Sequence, residues 1–324
     1  MASTSSQNRS LSINQVIRQN PRDQLFVQPL KWTHEHLSHL DISFLEPKEL
    51  HPLDQLHRGS KLNDIVKDEE HEEFRDLTDW VESLLKKADN LLLYEQDLYL
   101  NFHNRKQELN CMFCFEPGEN IPLAATVDHE TIVKERQWTV ESKLKTKSTT
   151  TSIEIGKSKS ALKMKKITPD DSSRDPVVAA TLIALAQAQQ RAMVVASRPH
   201  TEEVDVDPEV LKPFATDGRK YEVRLLVGFR NDLRFMLYKA VISSAFLAKF
   251  NDLDYAPPTP TSMEIEISDI PFRPHISLHR RIFNELLPDR EGTGGDSDER
   301  STVDSETPSE YKYRVSKDSN GPST

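Results

Sequence analysis

Apolar residues recur at three- and four-residue spacing over residues 69–109, which is the strongest helical pattern in the chain. The stripe consists of Phe74, Leu77, Val81, Leu84, Ala88 and Leu91, and Leu98 and Phe102 extend it. The opposite face is charged. This spacing predicts one long amphipathic helix, or two helices with a break near Asp89. Because the heptad run is short, we expect a helix packed on a core rather than a coiled coil.

A second helix is predicted over residues 177–196. Asp175 is a good N-cap and Pro176 occupies the first turn, where proline is tolerated. The segment is rich in Ala, Leu and Gln, which favour helix, and its first half is apolar on all sides. The apolar run, residues 177–186, is far shorter than the about 20 residues that span a bilayer, so we expect a buried core helix.

Strands are predicted in two groups. Residues 121–127, 131–144 and 149–155 are rich in β-branched side chains, which favour strands. Residues 221–229 and 233–242 form a second pair, joined by a turn at Arg230, Asn231 and Asp232.

Shorter elements complete the pattern. Residues 11–20 predict a short helix that Pro21 ends, and Ser243 caps a helix that runs to Phe250. Residues 263–267 alternate as a last strand, and residues 277–287 predict a final helix.

These elements predict an α+β protein with three regions. Residues 1–67 form a loop-rich N-terminal region, and residues 68–287 form the core domain, with a basic loop at 143–166. In the core, a mixed sheet is packed by the long amphipathic helix and the Ala/Leu-rich helix. Residues 288–324 are rich in Gly, Ser, Asp and Glu with few apolar residues, which is typical of a disordered tail.

Five histidines fall in the N-terminal region: His34, His36, His39, His51 and His57. Their spacing completes no common metal-ligand pattern. We therefore expect solvated loop histidines.

Charge is unevenly distributed along the chain. With 42 basic and 52 acidic residues the net charge is -10, which disfavours direct, tight nucleic-acid binding by the molecule as a whole. Residues 143–166 are the exception, because they carry eight lysines against the single acid Glu154. The lysines are Lys143, Lys145, Lys147, Lys157, Lys159, Lys163, Lys165 and Lys166.

This basic stretch resembles a two-part nuclear localisation signal with a long spacer. Nuclear import receptors bind lysine side chains in acidic, aromatic-lined grooves, and a flexible lysine-rich segment suits that role. We therefore predict a nuclear address and an import receptor as a partner. The alternative interpretations are a solvated loop that aids solubility, or lysines that bind phosphate groups.

Asp128, Glu141 and Lys143 resemble the PD-(D/E)xK pattern of restriction-endonuclease-like nucleases. The predicted order of helix, three strands, helix and strand is also theirs. In that fold an Asp and a Glu-x-Lys on a neighbouring strand hold Mg²⁺ and activate water for phosphodiester cleavage. Here Val127 rather than proline precedes Asp128. The alternatives are an active nuclease, an inactive relic that binds nucleic acid, or an ordinary charged strand end.

Cys111 and Cys114 form the only close cysteine pair in the sequence. With His103 and His129 they could hold one Zn²⁺, but their apolar neighbours favour core cysteines. The chain has only 9 glycines and no glycine-rich phosphate loop.

Three stretches resemble the fungal biofilm architecture maintenance family, which includes a hypoxia-responsive morphology factor. They are SLSINQVIRQNPRD at residues 10–23, DPVVAATLIALAQAQQR at 175–191 and VRLLVGFRNDLRFMLYKAVISSAFLAKF at 223–250. The likeness covers most of the chain and rests on its overall sequence texture.

This resemblance implies a non-enzymatic nuclear regulator. It would alter expression of a subtelomeric gene cluster, and through it colony morphology, surface adhesion and biofilm architecture at low oxygen, a phenotype tied to virulence. It implies no catalytic residue and no cofactor, and only the lysines carry over, as the nuclear address. Given the net charge, we expect the protein to act on transcription through protein partners, with no membrane association.

Overall fold

The computed structural model describes residues 10–21, 23–50, 92–94, 98–102, 105–115, 121–142, 150–196 and 217–286. The chain divides into two units, Met1–Pro288 and Asp289–Thr324, and every described residue lies in the first. Most of the predicted amphipathic helix and the whole predicted tail lie outside the described residues.

The described residues form ten strands and seven helices. The strands are β1 Ile42–Phe44, β2 Lys48–Glu49, β3 Leu92–Tyr94, β4 Leu98–Phe102, β5 Arg105–Leu109, β6 Met112–Phe115, β7 Pro122–Asp128, β8 Lys220–Phe229, β9 Arg234–Ser243 and β10 Met263–Pro271. The helices are α1 Ile13–Gln19, α2 His34–Leu40, α3 His129–Glu141, α4 Thr150–Ile167, α5 Pro176–Ala196, α6 Ser244–Asn251 and α7 His275–Leu286. Single 3₁₀ turns occupy Pro29–Lys31 and Ser172–Arg174.

Eight strands form one sheet in the order β1-β10-β9-β8-β7-β6-β3 with β2 also on β10, and β4 and β5 form a separate hairpin. The pairs β1–β10, β2–β10 and β7–β8 are parallel and the others are antiparallel. The predicted α+β class with a mixed sheet is therefore confirmed. The structure also contains most of the other elements that the sequence predicts. They are the strands β7, β8, β9 and β10 and the helices α1, α5, α6 and α7.

Helix α5 packs on one face of the large sheet. Its first half is buried on every side, as its all-round apolar composition predicts. Two glutamines join it to its neighbours. Gln187 donates to the Asn101 carbonyl and accepts from the Asn101 N–H, and Gln189 donates to the carbonyls of Pro122 and Glu222. These bonds let polar side chains lie in an apolar layer at no loss of hydrogen bonding.

The segment Ser172–Ala196 is long and apolar enough to cross a membrane by length and composition alone. In this fold 78% of its apolar window is buried inside the protein. It is the central core helix, as the sequence predicts.

Helix α7 covers the other face of the sheet. Leu278, Ile282 and Leu286 recur along one side of α7 and pack with Phe235 and Leu237 of β9. The sheet therefore lies between two helical layers.

The described part of the N-terminal region has more helix and strand than the sequence predicts. Ile13, Trp32 and Leu37 are buried in the same core as α5, and the Asn14 N–H donates to the Leu253 carbonyl at 3.0 Å. The strand β1 pairs with β10. The described part of residues 1–67 is thus built into the core domain.

Three predicted elements are wrong. The helix predicted through residue 109 is replaced by β3, β4 and β5, where Leu98, Leu100 and Phe102 follow a two-residue burial pattern typical of a strand. The strands predicted over 131–144 and 149–155 are the helices α3 and α4. A restriction-endonuclease-like fold needs strands at those two positions, and the structure gives it no support.

Candidate functional site

A lysine-lined cavity lies where the N-terminal segment meets β5, α3 and α4. Its volume is about 550 Å³. Lys31 projects from the 3₁₀ turn, and Lys163 and Lys166 lie one turn apart on α4. Among the described residues that line this cavity, none is acidic. The cavity therefore concentrates positive charge in a chain whose net charge is -10.

The rest of the wall is part polar and part apolar. Neutral hydrogen-bonding groups come from Gln24, Gln28, Gln107 and Thr139, and the apolar wall consists of Phe26, Val27, Val140 and Ile167. The Phe26 ring packs edge-on against Phe102, with centroids 4.9 Å apart, and the Arg105 guanidinium lies 5.5 Å from its centroid. Arg105 thus places a further cation next to the cavity.

A buried ion pair fixes the elements that carry the cavity. Arg136 Nη2 donates to both carboxylate oxygens of Asp175 at 2.7 Å, and Arg136 Nε donates to the Leu30 carbonyl at 3.1 Å. Both charged side chains are only 1% exposed. Asp175 also caps α5 by accepting from the Val177 N–H. One guanidinium therefore ties α3 to the 3₁₀ turn that carries Lys31 and to the start of α5.

His36 holds a second side of the wall. Its Nδ1 accepts from the Thr33 N–H at 3.0 Å, so Nε2 carries the proton and donates to the Gln24 carbonyl at 3.1 Å. Burial lowers the pKa of His36. The neutral ring, stacked on Trp32, therefore caps α2 and positions Gln24 at the cavity. The expectation of solvated loop histidines is wrong for this residue.

Lys166 also lies close to the start of α2. The pKa of Glu35 is lowered, first by the hydrogen bond from the Thr33 hydroxyl and to a smaller extent by the charge of Lys166. The C-terminal end of α4 is thus placed alongside the N-terminal region.

The structure places the predicted lysine signal partly on a helix. Lys143, Lys145 and Lys147 lie outside the described residues. Lys157, Lys159, Lys163, Lys165 and Lys166 all belong to α4, so the prediction of a basic loop is wrong over this part. Lys159, Lys163, Lys165 and Lys166 are exposed, and only Lys163 and Lys166 of these four line the cavity.

The predicted carboxylate pair does not converge. Asp128 is the N-cap of α3, where it accepts from the Glu130 N–H, and Glu141 is the last residue of the same helix. At 1.5 Å per residue the two lie about 20 Å apart along the axis, far beyond any shared metal ion. Lys143 is outside the described residues. Burial raises the pKa of Asp128, and Glu141 accepts from Gln137 at the surface.

The residues that could have held a zinc ion are described only in part. Cys111 is partly buried, and Cys114 lies on β6, while His103 is outside the described residues. His129 stacks on Phe229 with centroids 4.6 Å apart, and burial lowers its pKa. Within the described ranges no group of three His, Cys, Asp or Glu side chains could hold a metal ion.

Sequence reasoning singled out Lys163 and Lys166 but missed Lys31, Gln24 and Arg136. A signal existed for the two lysines, because on a helix their three-residue spacing puts them on one face. The other three residues carry no local signal, since the cavity is assembled from segments far apart in sequence.

Comparisons with protein-family models, with curated proteins and with solved structures find no match for this chain.

Proposed function

We propose that this protein is a non-enzymatic nuclear regulator. It alters expression of a subtelomeric gene cluster, and so colony morphology, surface adhesion and biofilm architecture at low oxygen. The proposal rests on the sequence resemblance for its biological role. The observation that carries the nuclear address is the lysine density of residues 143–166, together with the exposure of Lys159, Lys163, Lys165 and Lys166.

Exposure matters because an import receptor must reach the lysine side chains. Four lysines of α4 have described side chains. All four are exposed and form no ion pair within 4.0 Å: Lys159, Lys163, Lys165 and Lys166. Import receptors bind clustered lysines in acidic grooves, so lysine side chains that are exposed and form no close ion pair suit recognition. Binding to an extended groove would require α4 to unwind at its basic end.

The net charge supports action through partner proteins. At -10 the chain as a whole is repelled by the phosphate backbone, which favours protein contacts over tight direct binding to DNA. The regulator therefore acts as an interaction protein on the transcription machinery.

A fluorescent fusion tests the nuclear address. Replacing Lys157, Lys159, Lys163, Lys165 and Lys166 by Ala should disperse a nuclear signal into the cytoplasm and abolish the effect on cluster transcripts. A control variant replaces Lys48, Lys134 and Lys220, three exposed lysines outside the stretch, and should stay nuclear. A nuclear signal that survives the five replacements would contradict the assignment.

A further inference from the structure

We propose that the lysine-lined cavity binds a small organic polyphosphate of nucleotide size. This binding does not depend on where in the cell the protein acts. The argument starts from charge. Lys31, Lys163 and Lys166 face one space from two walls, and no described lining residue is acidic. Cations on two sides of one space attract an anion that enters it.

The position of the lysines on α4 favours a localised binding site rather than a diffuse basic surface. Lys163 and Lys166 line the cavity, whereas Lys159 and Lys165 are exposed on the same helix and do not line it. The opposite wall is fixed, because the buried Arg136 guanidinium holds the Leu30 carbonyl next to Lys31. A wall held in place binds a ligand at a lower entropy cost than a mobile one.

The other lining residues indicate what the ligand contains besides phosphate. Phe26, Val27, Val140 and Ile167 form an apolar surface, and amide groups such as Gln24 and Gln107 can bond to hydroxyls or ring nitrogens. A lining that contains both lysines and apolar groups fits a molecule that has both a polyphosphate and a ring. A volume of about 550 Å³ lies within the usual range of about 300–1,000 Å³ for small-molecule sites.

Isothermal titration of the full chain with ATP and UTP, without added Mg²⁺, tests this proposal. Inorganic triphosphate and adenosine serve as the two half-ligands. We expect a nucleotide to bind more tightly than triphosphate, and triphosphate more tightly than adenosine. No binding of ATP, UTP or triphosphate at about 1 mM, an affinity worth only about 4 kcal/mol, would overturn the proposal. Equal affinity for triphosphate and both nucleotides would overturn the role of the apolar wall.

Two charge-matched variants locate the site. Lys163→Gln/Lys166→Gln should weaken nucleotide binding at least about tenfold, because two charge-assisted contacts are lost. Lys159→Gln/Lys165→Gln removes the same charge from the same helix and should leave affinity unchanged. Circular dichroism and the melting temperature of both variants establish that each is folded. Equal weakening by the two variants would overturn the site in favour of diffuse attraction.

A single-stranded oligonucleotide forms the last arm of the experiment. If it binds and depends on Lys163 and Lys166 while ATP, UTP and triphosphate do not bind, the cavity is part of a nucleic-acid surface and the small-ligand proposal is wrong. Competition between ATP and the oligonucleotide, with ATP bound more tightly, would support it.

Discussion

Arg136 is the residue on which three elements of the fold meet. It is 1% exposed and bonds to Asp175, which caps α5, and to the backbone just before Lys31. A buried ion pair is costly to assemble, and removing one partner leaves the other charge desolvated without compensation. The stability of the domain should therefore depend on this pair far more than on any ion pair at the surface.

Replacement of this residue gives the first prediction. Arg136→Leu should lower the free energy of unfolding by about 3–5 kcal/mol, because Asp175 stays buried as an unpaired carboxylate. Arg174 supplies the control, since its pair with Glu46 is exposed, and Arg174→Leu should cost less than about 1 kcal/mol. Urea unfolding of both variants makes the measurement. Similar losses in the two variants would show that Arg136 contributes no more than a surface cation.

At the scale of elements, Gln189 connects helix α5 to two strands at once. Its Nε2 group donates to the Pro122 carbonyl on β7 and the Glu222 carbonyl on β8, each at 2.9 Å. Because β7 and β8 are parallel neighbours, one side chain spans the seam between them. The helix is therefore held in register with the sheet by directed bonds as well as by apolar contact.

Gln189→Leu should cost about 1–3 kcal/mol, because it removes a donor from the buried Pro122 carbonyl and from the part-buried Glu222 carbonyl. Gln189→Glu should cost more, since a buried carboxylate would face two carbonyl oxygens. Gln137→Leu on the exposed face of α3 is the control and should change stability by less than about 0.5 kcal/mol. Thermal unfolding followed by circular dichroism ranks the three variants. A loss in Gln137→Leu as large as in Gln189→Leu would contradict the bridging role.

The elements that can be predicted from the sequence are those whose buried residues are apolar and follow each other closely along the chain. Helix α5 has a cap, a proline and an apolar run, and the β8–β9 hairpin has two apolar segments around a turn. The sequence of α3 does not show a helical pattern of apolar residues, because its inward face carries Arg136 and Thr139. The prediction of a strand for this helix is therefore wrong. Its Ile132, Val133 and Val140 favoured strand locally, and tertiary burial overrode that preference.

The cavity could be predicted only in part for the same reason. Helix α4 has β-branched residues at its start, which favoured a strand, while the Lys, Ala, Leu and Met of its second half favour helix. Its partners Lys31 and Gln107 come from distant segments, and only the folded sheet brings them together. The sequence predicts Asp175 as a helix N-cap, but it carries no sign that Arg136 is the partner of this carboxylate.

At the scale of the whole molecule, the buried His36 and the half-buried His129 make stability depend on pH. Burial lowers the pKa of both His36 and His129 below the usual value for histidine, so the unfolded chain takes up protons first as the pH falls. The full contribution is present above the unfolded pKa of about 6.5 and declines below it. Asp128 acts in the opposite direction at lower pH, because burial raises its pKa.

We therefore expect the free energy of unfolding to be lower at about pH 5.5 than at about pH 7.5. His36→Gln should reduce this difference, since one of the two histidines no longer titrates, while lowering stability at the higher pH through loss of the α2 cap. Denaturant unfolding of both proteins at the two pH values makes the measurement. An unchanged pH dependence in His36→Gln would show that His36 does not contribute.

The parallel pairing of β1 with β10 has a consequence for synthesis on the ribosome. Ile42 lies opposite Met263, so the partner of this N-terminal strand is translated about 220 residues later. At about 5–20 residues per second, the wait is roughly 10–45 s. For most of that time Ile13, Trp32 and Leu37, all core residues of the finished domain, lack the partners from α5, β8 and β9 that share their core. We therefore expect holding chaperones to bind the nascent chain until β10 has been synthesised and can pair with β1.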